Sequence, residues 1–132
     1  MKNVDVSVEI CREGVCLPAY ARDGDAGMDV CAAEEALLGP GDTLIIPTGL
    51  KFAIPDGYEI QVRPRSGITA RTPLRVSNAP GTIDSGYRDE LGIIITNTSE
   101  ICCYSYDENI TLDSHGNRKG SYLIRKGDRI AQ

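Results

Sequence analysis

The chain has 132 residues, which suits one domain better than two. Its 14 basic and 19 acidic side chains give a net charge of −5, which argues against a broad electrostatic hold on a nucleic-acid polymer. No apolar run approaches the roughly 18 residues that a membrane span needs, and the start of the chain lacks the apolar core of a secretory signal. We therefore expect one soluble domain, residues 1–132, in the cytoplasm, or in the host cytoplasm if the protein is viral, with neither a membrane nor a nucleic-acid polymer as partner.

The predicted elements are mostly short strands. Alternating apolar residues from Val4 to Ile10 indicate a half-buried strand at the start. The helix-like stretch 32–38 is too short to stand alone in water and is compatible with an extended conformation. Turn signals at 39–42 and 55–57 separate the later strands. Those predicted strands are Thr43–Ile46, Leu50–Ile54, Tyr58–Arg63, Leu91–Thr96 and Ser121–Ile124. The pattern predicts an all-β antiparallel sandwich or jelly roll.

The five cysteines do not form a metal or disulfide pattern. Their number is odd, and they lack the C-x-x-C pairs of a zinc site, so we interpret them as reduced thiols. Cys102 and Cys103 are neighbours, which rarely meet disulfide geometry, and are interpreted as small buried thiols. The polar stretch 101–120 is typical of a hairpin or long loop and holds the only histidine, His115, which we expect at the surface.

Two early stretches carry residues that a β core does not need. Residues 23–30 hold three carboxylates around two glycines, a pattern that either turns the chain or binds a hydrated divalent cation. Residues 62–68 place two arginines and Ser66 at the end of a strand, and Gly67 lets backbone N–H groups approach an anion. That second stretch suits phosphate, with a strand-end turn bearing solvated arginines as the alternative.

A third stretch, residues 78–90, combines a proline–glycine turn with Asp84 and, three residues later, Tyr87. A carboxylate held by a tight loop can orient and deprotonate a water, and a tyrosine ring can form the wall of a sugar pocket. A structural aspartate that caps the turn is an equal alternative at this point.

These three stretches and residues 125–132 resemble, in order and approximate spacing, the first four signature motifs of the trimeric dUTP pyrophosphatases (dUTPases). The resemblance runs from about Val4 to Gln132, apart from the polar region after Asn97. It implies a jelly-roll-like antiparallel β-sandwich or barrel of the dUTPase type and a homotrimer with active sites at subunit interfaces. It also implies Mg²⁺-assisted hydrolysis of dUTP to dUMP and pyrophosphate, which limits uracil in DNA and supplies dUMP for thymidylate synthesis.

The resemblance implies a role for single residues. Asp84 orients and activates the water that attacks the α-phosphorus, while Tyr87 lies beneath the deoxyribose and excludes a 2′-hydroxyl. Asn78 reads the uracil edge with the hairpin backbone. Asp29 supports the site and is linked to the metal through water, the Mg²⁺ itself resting mainly on the substrate phosphates. The other implied substrate-binding residues are Arg65, Ser66, Gly67 and Gln132 at the phosphates, and Gly81, Thr82 and Ile83 in the hairpin.

The sequence departs from the family pattern at three places. Asp89 stands where the third motif usually has glycine, which we expect to alter the hairpin turn without removing a catalytic group. The link at about residues 98–121 is longer than usual, and we interpret it as a polar insertion that forms a surface hairpin and contacts another protein. The sequence stops at Gln132, so the fifth motif is absent. If that C-terminal arm is missing from the protein, phosphate closure and turnover should suffer.

Two alternatives remain open on the sequence. A dCTP deaminase shares the fold, but that branch has a catalytic glutamate on the strand after the third motif, and residues 91–97 contain no acid. It also usually has a second serine where this chain has Gly67. A non-catalytic trimer that binds a nucleotide or a protein and lacks the arm is the other alternative, against which the retained Asp84 argues.

Overall fold

The computed structural model describes residues 2–101, 109–113 and 118–132. No helix within these ranges is long and apolar enough to span a membrane. The elements are β1 (Ser7–Ile10), β2 (Val30–Cys31), β3 (Ala36–Leu38), β4 (Thr43–Pro47), β5 (Leu50–Ala53), β6 (Ile60–Val62), α1 (Ser66–Arg71), β7 (Leu74–Val76), β8 (Gly81–Ile83), β9 (Gly92–Asn97), β10 (Ile110–Thr111), β11 (Tyr122–Ile124) and β12 (Arg129–Ala131). The predicted all-β class is confirmed.

The strands pair in small sheets whose members are distant in sequence. β9 lies at the centre of the sheet β4–β9–β7, and β11 lies between β10 and β3. Three further pairs join β1 to β5, β6 to β8 and β2 to β12. These ladders are antiparallel as predicted, except that β10 and β11 run parallel. Because each sheet among the described residues contains strands that are distant in the sequence, the fold brings separate sequence motifs next to one another.

The core is aliphatic and follows the pleat of the strands. Along β9, buried Ile93 and Ile95 alternate with half-buried residues, as expected for a strand with one face on the core. Leu38 and Ile124, on the paired strands β3 and β11, are fully buried. Tyr122 is also buried, and its hydroxyl keeps a partner by donating to a backbone carbonyl at 2.5 Å. Burial raises the pKa of Tyr122.

The strand predictions hold best where apolar runs are long. The predicted strands at 43–46, 50–54, 91–96 and 121–124 correspond to β4, β5, β9 and β11. The first strand is shorter than predicted, since only Ser7–Ile10 pairs with β5, and the side chain of Val4 is exposed. The stretch 32–38 is extended where it pairs, in β3. The short helix α1 was not predicted.

Hydrogen bonds join the two ends of the polar stretch that follows Asn97. The buried Asn97 amide donates to the carbonyls of Leu38 and Gly120 at 3.0 and 2.7 Å. The Gly120 N–H donates to the Ser99 hydroxyl at 3.0 Å, which closes the base of the stretch. Buried Ile110 anchors part of it on the core. Three residues considered in the sequence analysis lie outside the described ranges, namely Cys102, Cys103 and His115.

Candidate active site

Residues of the first, second and fourth motifs meet in one group, Asp29, Arg65, Arg129 and Gln132, which we call the arginine–aspartate cluster. Arg65 Nε donates to Asp29 Oδ1 at 3.0 Å, and Arg129 Nη1 lies 3.5 Å from Asp29 Oδ2. The Asp29 side chain is 25% exposed and that of Arg65 is 30% exposed. Each carboxylate oxygen therefore faces a guanidinium group, and these charge-assisted contacts fix the orientation of Arg65.

Backbone pairing explains why these residues meet. Arg129 lies opposite Cys31 in the β2–β12 ladder, so it stands beside Asp29, just before β2. Past the end of β12, Gln132 exchanges two backbone hydrogen bonds with Arg63, of 2.7 and 2.9 Å. Three motifs that are distant along the chain thus converge because β12 is held between β2 and the segment that follows β6.

Ser66 and Gly67 open the helix α1 directly after Arg65. The alternative interpretation of this stretch, a strand-end turn, differs from the structure in form, since the chain continues into a short helix. Ser66 is exposed, and among the described residues its hydroxyl has no hydrogen-bond partner. A Cβ at Gly67 would lie 2.9 Å from the guanidinium of Arg71, which folds back to donate to the Gly67 carbonyl at 3.1 Å. A side chain at position 67 would displace Arg71.

A cavity of about 280 Å³ opens beside the cluster. Its lining includes Asp29 and Gln132, together with Gly27 and Arg63, which belong to the first two stretches but were not predicted as site residues. A Cβ at Gly27 would lie 3.3 Å from Gln132 Oε1, so a larger residue there would crowd the glutamine side chain. Asp25 shapes the rim, because its carboxylate accepts the Arg22 N–H at 2.9 Å and closes a turn.

The residues near this cavity fit a metal that arrives with a substrate better than a metal held by the protein. Within the described ranges, no group of three or more His, Cys, Asp or Glu side chains could hold an ion. Both oxygens of Asp29 already face arginines, but a carboxylate oxygen has further lone pairs that can accept a metal-bound water. Magnesium keeps several waters and favours phosphate oxygens, which suits this arrangement.

Cys31 lies next to the cluster, opposite Arg129 in the β2–β12 ladder. Burial raises the pKa of its thiol, against the opposing effect of the nearby Arg129 charge. Cys31 is a free thiol, as are Cys11 and Cys16, which confirms the predicted reduced state for these three cysteines. A protonated thiol is a poor nucleophile and metal ligand, so Cys31 is interpreted as part of the scaffold.

The third motif forms a separate feature, residues 78–90, which we call the hairpin. Asp84 follows β8 directly and is exposed. The Tyr87 N–H donates to the Asp84 carbonyl at 3.1 Å and closes the turn by a backbone contact. Within the described part of the chain, the Asp84 carboxylate forms neither a hydrogen bond nor an ion pair. The side chain does not cap the turn and is open to a water or a ligand.

The other selected hairpin residues surround Asp84. Tyr87 is 42% exposed, and its hydroxyl donates to the Glu90 carbonyl at 2.9 Å. Asn78 precedes a cis Ala79–Pro80 peptide bond. The Asn78 amide nitrogen lies 3.3 Å from where a Cβ on Gly81 would stand, so glycine at 81 leaves room for that amide. The remaining predicted hairpin residues, Thr82 and Ile83, lie in β8.

Within one chain, Arg65 and Asp84 lie beyond opposite ends of the β6–β8 ladder. In the β6–β8 ladder, Val62 pairs with Gly81 and Ile60 with Ile83. Since a strand rises about 3.3 Å per residue, these two ends of the ladder are about 7 Å apart. Arg65 follows the Val62 end, whereas Asp84 leaves from the other end. In the described ranges no hydrogen bond or ion pair joins the two groups.

The anchored guanidinium groups suit phosphate oxygens, and the free carboxylate beside a tyrosine suits the activation of water, so the fold and site are those of a β-sandwich hydrolase that acts on a phosphate-bearing substrate. The particular family follows from sequence. A family model described as dUTPase matches residues 14–132, and the chain belongs to the dUTPase family.

Named relatives and solved structures agree with this assignment. The chain is 45% identical to the deoxyuridine 5′-triphosphate nucleotidohydrolase of Fusobacterium nucleatum over 132 residues, covering 98% of this chain and 84% of that protein. The enzyme of the same name from Clostridium tetani is 42% identical, with 100% of this chain and 78% of that protein covered. A mutant dUTPase from phage phi11 of S. aureus, described with a coordinated structural Mg(II) ion, matches with a TM-score of 0.87 at 30% identity, covering 98% of this chain and 88% of that one. The chain has the jelly-roll fold of these dUTPases.

Proposed function

We propose that this protein hydrolyses dUTP to dUMP and pyrophosphate, the activity for which its named relatives are called deoxyuridine 5′-triphosphate nucleotidohydrolases. The observation that carries the proposal is the Asp84 carboxylate, which is exposed, has no partner in the described residues and stands on a turn closed by the backbone. A carboxylate in this state can accept a proton from water without first losing an ion pair.

In the proposed mechanism, Asp84 accepts a hydrogen bond from a water and directs its oxygen towards the α-phosphorus. Arg65, held in place by Asp29, and Ser66 donate to the phosphate oxygens, where negative charge grows as the bond to pyrophosphate breaks. Asp29 would hold a substrate-bound Mg²⁺ through water, and this ion would supply positive charge to the triphosphate. Gln132 and the residues around Gly67 complete the phosphate contacts.

The nucleoside is recognised by the hairpin. The Tyr87 ring packs beneath the deoxyribose and leaves no room for a 2′-hydroxyl. Asn78 and the backbone of Gly81, Thr82 and Ile83 form hydrogen bonds with the uracil edge. A base that leaves these polar groups unpaired is rejected because their desolvation is then not compensated.

The active site is proposed to be shared between copies of the chain in a homotrimer. The placement of Arg65 and Asp84 beyond opposite ends of the β6–β8 ladder is consistent with this arrangement, in which a nucleotide lies between one copy's cluster and another copy's hairpin. Closed cyclic symmetry then builds three equal sites from one interface.

Mixing two inactive variants tests the shared site. Asp84→Asn and Arg65→Gln each remove one half of it. Mixed one to one and allowed to exchange subunits, they should recover about a quarter of the wild-type activity, because a random neighbour supplies the intact half in that fraction of sites. The double variant Asp84→Asn/Arg65→Gln, mixed with either single variant, is the control and should recover none. Absence of recovery after proven subunit exchange contradicts a site shared between copies.

The reaction itself is tested by the products. The wild-type protein with Mg²⁺ should release pyrophosphate from dUTP and no ammonia from dCTP. The absence of an acidic side chain from β9 argues against deaminase chemistry. Ammonia release from dCTP would favour the deaminase, and tight dUTP binding without any pyrophosphate release would favour a non-catalytic binding protein.

Two further predictions accompany this function. An enzyme that acts on the free nucleotide pool is expected in the cytoplasm. The protein partner predicted for residues 98–121 stays a prediction, because residues 102–108 and 114–117 of that stretch lie outside the described ranges.

A further inference from the structure

Arg12, in the turn after β1, forms a two-point ion pair with Glu90 at the end of the hairpin. Arg12 Nε lies 2.7 Å from Glu90 Oε2, and Arg12 Nη2 lies 3.0 Å from Glu90 Oε1. The flat guanidinium and carboxylate thus meet in the parallel geometry that gives the strongest and most directional contact of this kind. The pair joins residues 78 positions apart, so it ties the N-terminal segment to the hairpin.

Glu90 is held from a second side by Gly49. The Gly49 N–H donates to Glu90 Oε2 at 2.7 Å, and the Gly49 carbonyl accepts the Cys11 N–H at 2.8 Å. Gly49 has a φ of 72°, and a Cβ there would lie 2.6 Å from the Val15 side chain. This position therefore requires glycine, and the N-terminal segment packs directly against the turn that binds Glu90.

The contacts of Glu90 reach the nucleoside side of the proposed site through Tyr87. The Tyr87 hydroxyl donates to the Glu90 carbonyl at 2.9 Å, and the Tyr87 N–H closes the turn on Asp84. Immediately after Glu90, the Leu91 N–H donates to the Leu50 carbonyl at 2.8 Å. The orientation of the tyrosine ring thus depends on where the Glu90 backbone is held.

We propose that Arg12 and Glu90 are positioning residues that set the Tyr87 ring, and with it the sugar preference and the placement of Asp84. The proposal rests on the proposed dUTP hydrolysis and deepens it. Neither residue needs to touch the substrate, because the effect passes through the Tyr87 hydroxyl and the hairpin backbone. The hydrogen bond from Arg12 holds the pKa of Glu90 below its ordinary value, so the pair stays charged at neutral pH.

The substitutions Arg12→Gln and Glu90→Gln test the proposal. Arg12→Gln removes the guanidinium group that forms the two-point ion pair. Glu90→Gln keeps an oxygen that can accept the Gly49 N–H but removes the negative charge. Each should lower kcat for dUTP about tenfold, because small displacements of a reacting group are costly. Each should also narrow the preference for dUTP over UTP by a similar factor, with a smaller change in KM, since the arginine–aspartate cluster is untouched.

Glu34→Gln is the matched control. Glu34 Oε2 lies 3.2 Å from Arg12 Nη1, and its side chain is 57% exposed. The control removes one charge from the surroundings of Arg12 but leaves the fork to Glu90 intact, so kcat and sugar preference should stay within about twofold of wild type. The double variant Arg12→Gln/Glu90→Gln should have a kcat no lower than that of the more impaired single variant, because the two residues act as a unit.

A readout without substrate separates this proposal from the proposed function. Hydrogen exchange of the Tyr87 amide should be faster in Arg12→Gln and Glu90→Gln than in Glu34→Gln, whether or not the protein hydrolyses dUTP. If wild type is active and both variants keep its sugar preference and amide protection, with only a lower Tm, the pair is purely stabilising and the proposal is overturned. If wild type releases no pyrophosphate from dUTP, the proposed function fails while the exchange result still stands.

Discussion

The arginine–aspartate cluster and the hairpin hold their polar side chains in opposite ways. In the cluster, Asp29 faces Arg65 and Arg129, and the opposite charges orient one another. In the hairpin, backbone hydrogen bonds fix the turn, and the Asp84 carboxylate has no partner within the described residues. A cationic group that binds phosphate is held in a productive orientation by a counter-charge. An adjacent cation would instead lower the basicity of a carboxylate that must accept a proton.

The substitution Asp84→Asn tests this difference and is expected to have the largest effect on activity. The amide is similar in shape but cannot accept a proton at neutral pH, so single-turnover pyrophosphate release from dUTP should fall by about a hundredfold or more. Affinity for dUTP, measured by calorimetry, should stay close to wild type. Asp89→Asn is the control, because Asp89 is an exposed carboxylate of the same hairpin without a partner in the described ranges. Equal turnover in Asp84→Asn and wild type would remove Asp84 from the mechanism.

A smaller effect is expected from Arg65→Lys in the cluster. Lysine keeps the positive charge but loses the planar fork that Asp29 orients, so kcat/KM for dUTP should fall roughly tenfold to a hundredfold. Arg125→Lys provides the comparison, since Arg125 pairs with Asp113 and Asp128 at the surface and such pairs contribute little. Equal kinetics for the two lysine variants would show that the orientation of Arg65 by Asp29 has no functional role.

The smallest effect concerns pH and the Arg12–Glu90 pair. The pKa of Glu90 is lowered by the hydrogen bond from Arg12, by the Gly49 N–H and by the charge of Lys51. A second carboxylate, Glu34, also contacts Arg12. A lowered carboxyl pKa stabilises the fold above the ordinary glutamate pKa, and this contribution disappears as the pH falls through the lowered value.

The Tm difference between wild type and Glu90→Gln should therefore be largest near neutral pH and should shrink in acid, as measured by thermal unfolding at several pH values. Glu34→Gln should show a weaker dependence on pH. A Tm difference that stays constant down to strongly acidic pH would mean that the Glu90 charge contributes nothing to stability.

The sequence predicts the fold well where one strand carries enough residues to show a period. β4 and β9 each contain a run of isoleucines that pair with one another, and both were found by their apolar pattern. β2 and β10 have two residues each, too few for any period to appear. The helix α1 was not predicted because Ser66–Arg71 has no buried residue, so the sequence shows no apolar face that would indicate a helix.

In the candidate site, too, local features could be predicted from the sequence and long-range contacts could not. The residue types of Asp84, Tyr87 and Arg65 could be selected from short motifs, because each motif is local. The pairing of Arg65 with Asp29 and of Arg12 with Glu90 could not, since it depends on ladders that join positions far apart in the chain. Arg12 lies outside every motif, and no local signal distinguishes it from a solvated arginine.

The closed base formed by Asn97, Ser99 and Gly120 has a consequence for how this protein tolerates change. Because direct hydrogen bonds join residues 97 and 99 to residue 120, a change in chain length between them costs mainly loop-closure entropy, which grows slowly with length. An epitope tag or fluorescent label introduced there should leave both halves of the proposed active site intact. The hydrogen-bonded base thus makes the chain beyond it a practical attachment point for immobilising the enzyme.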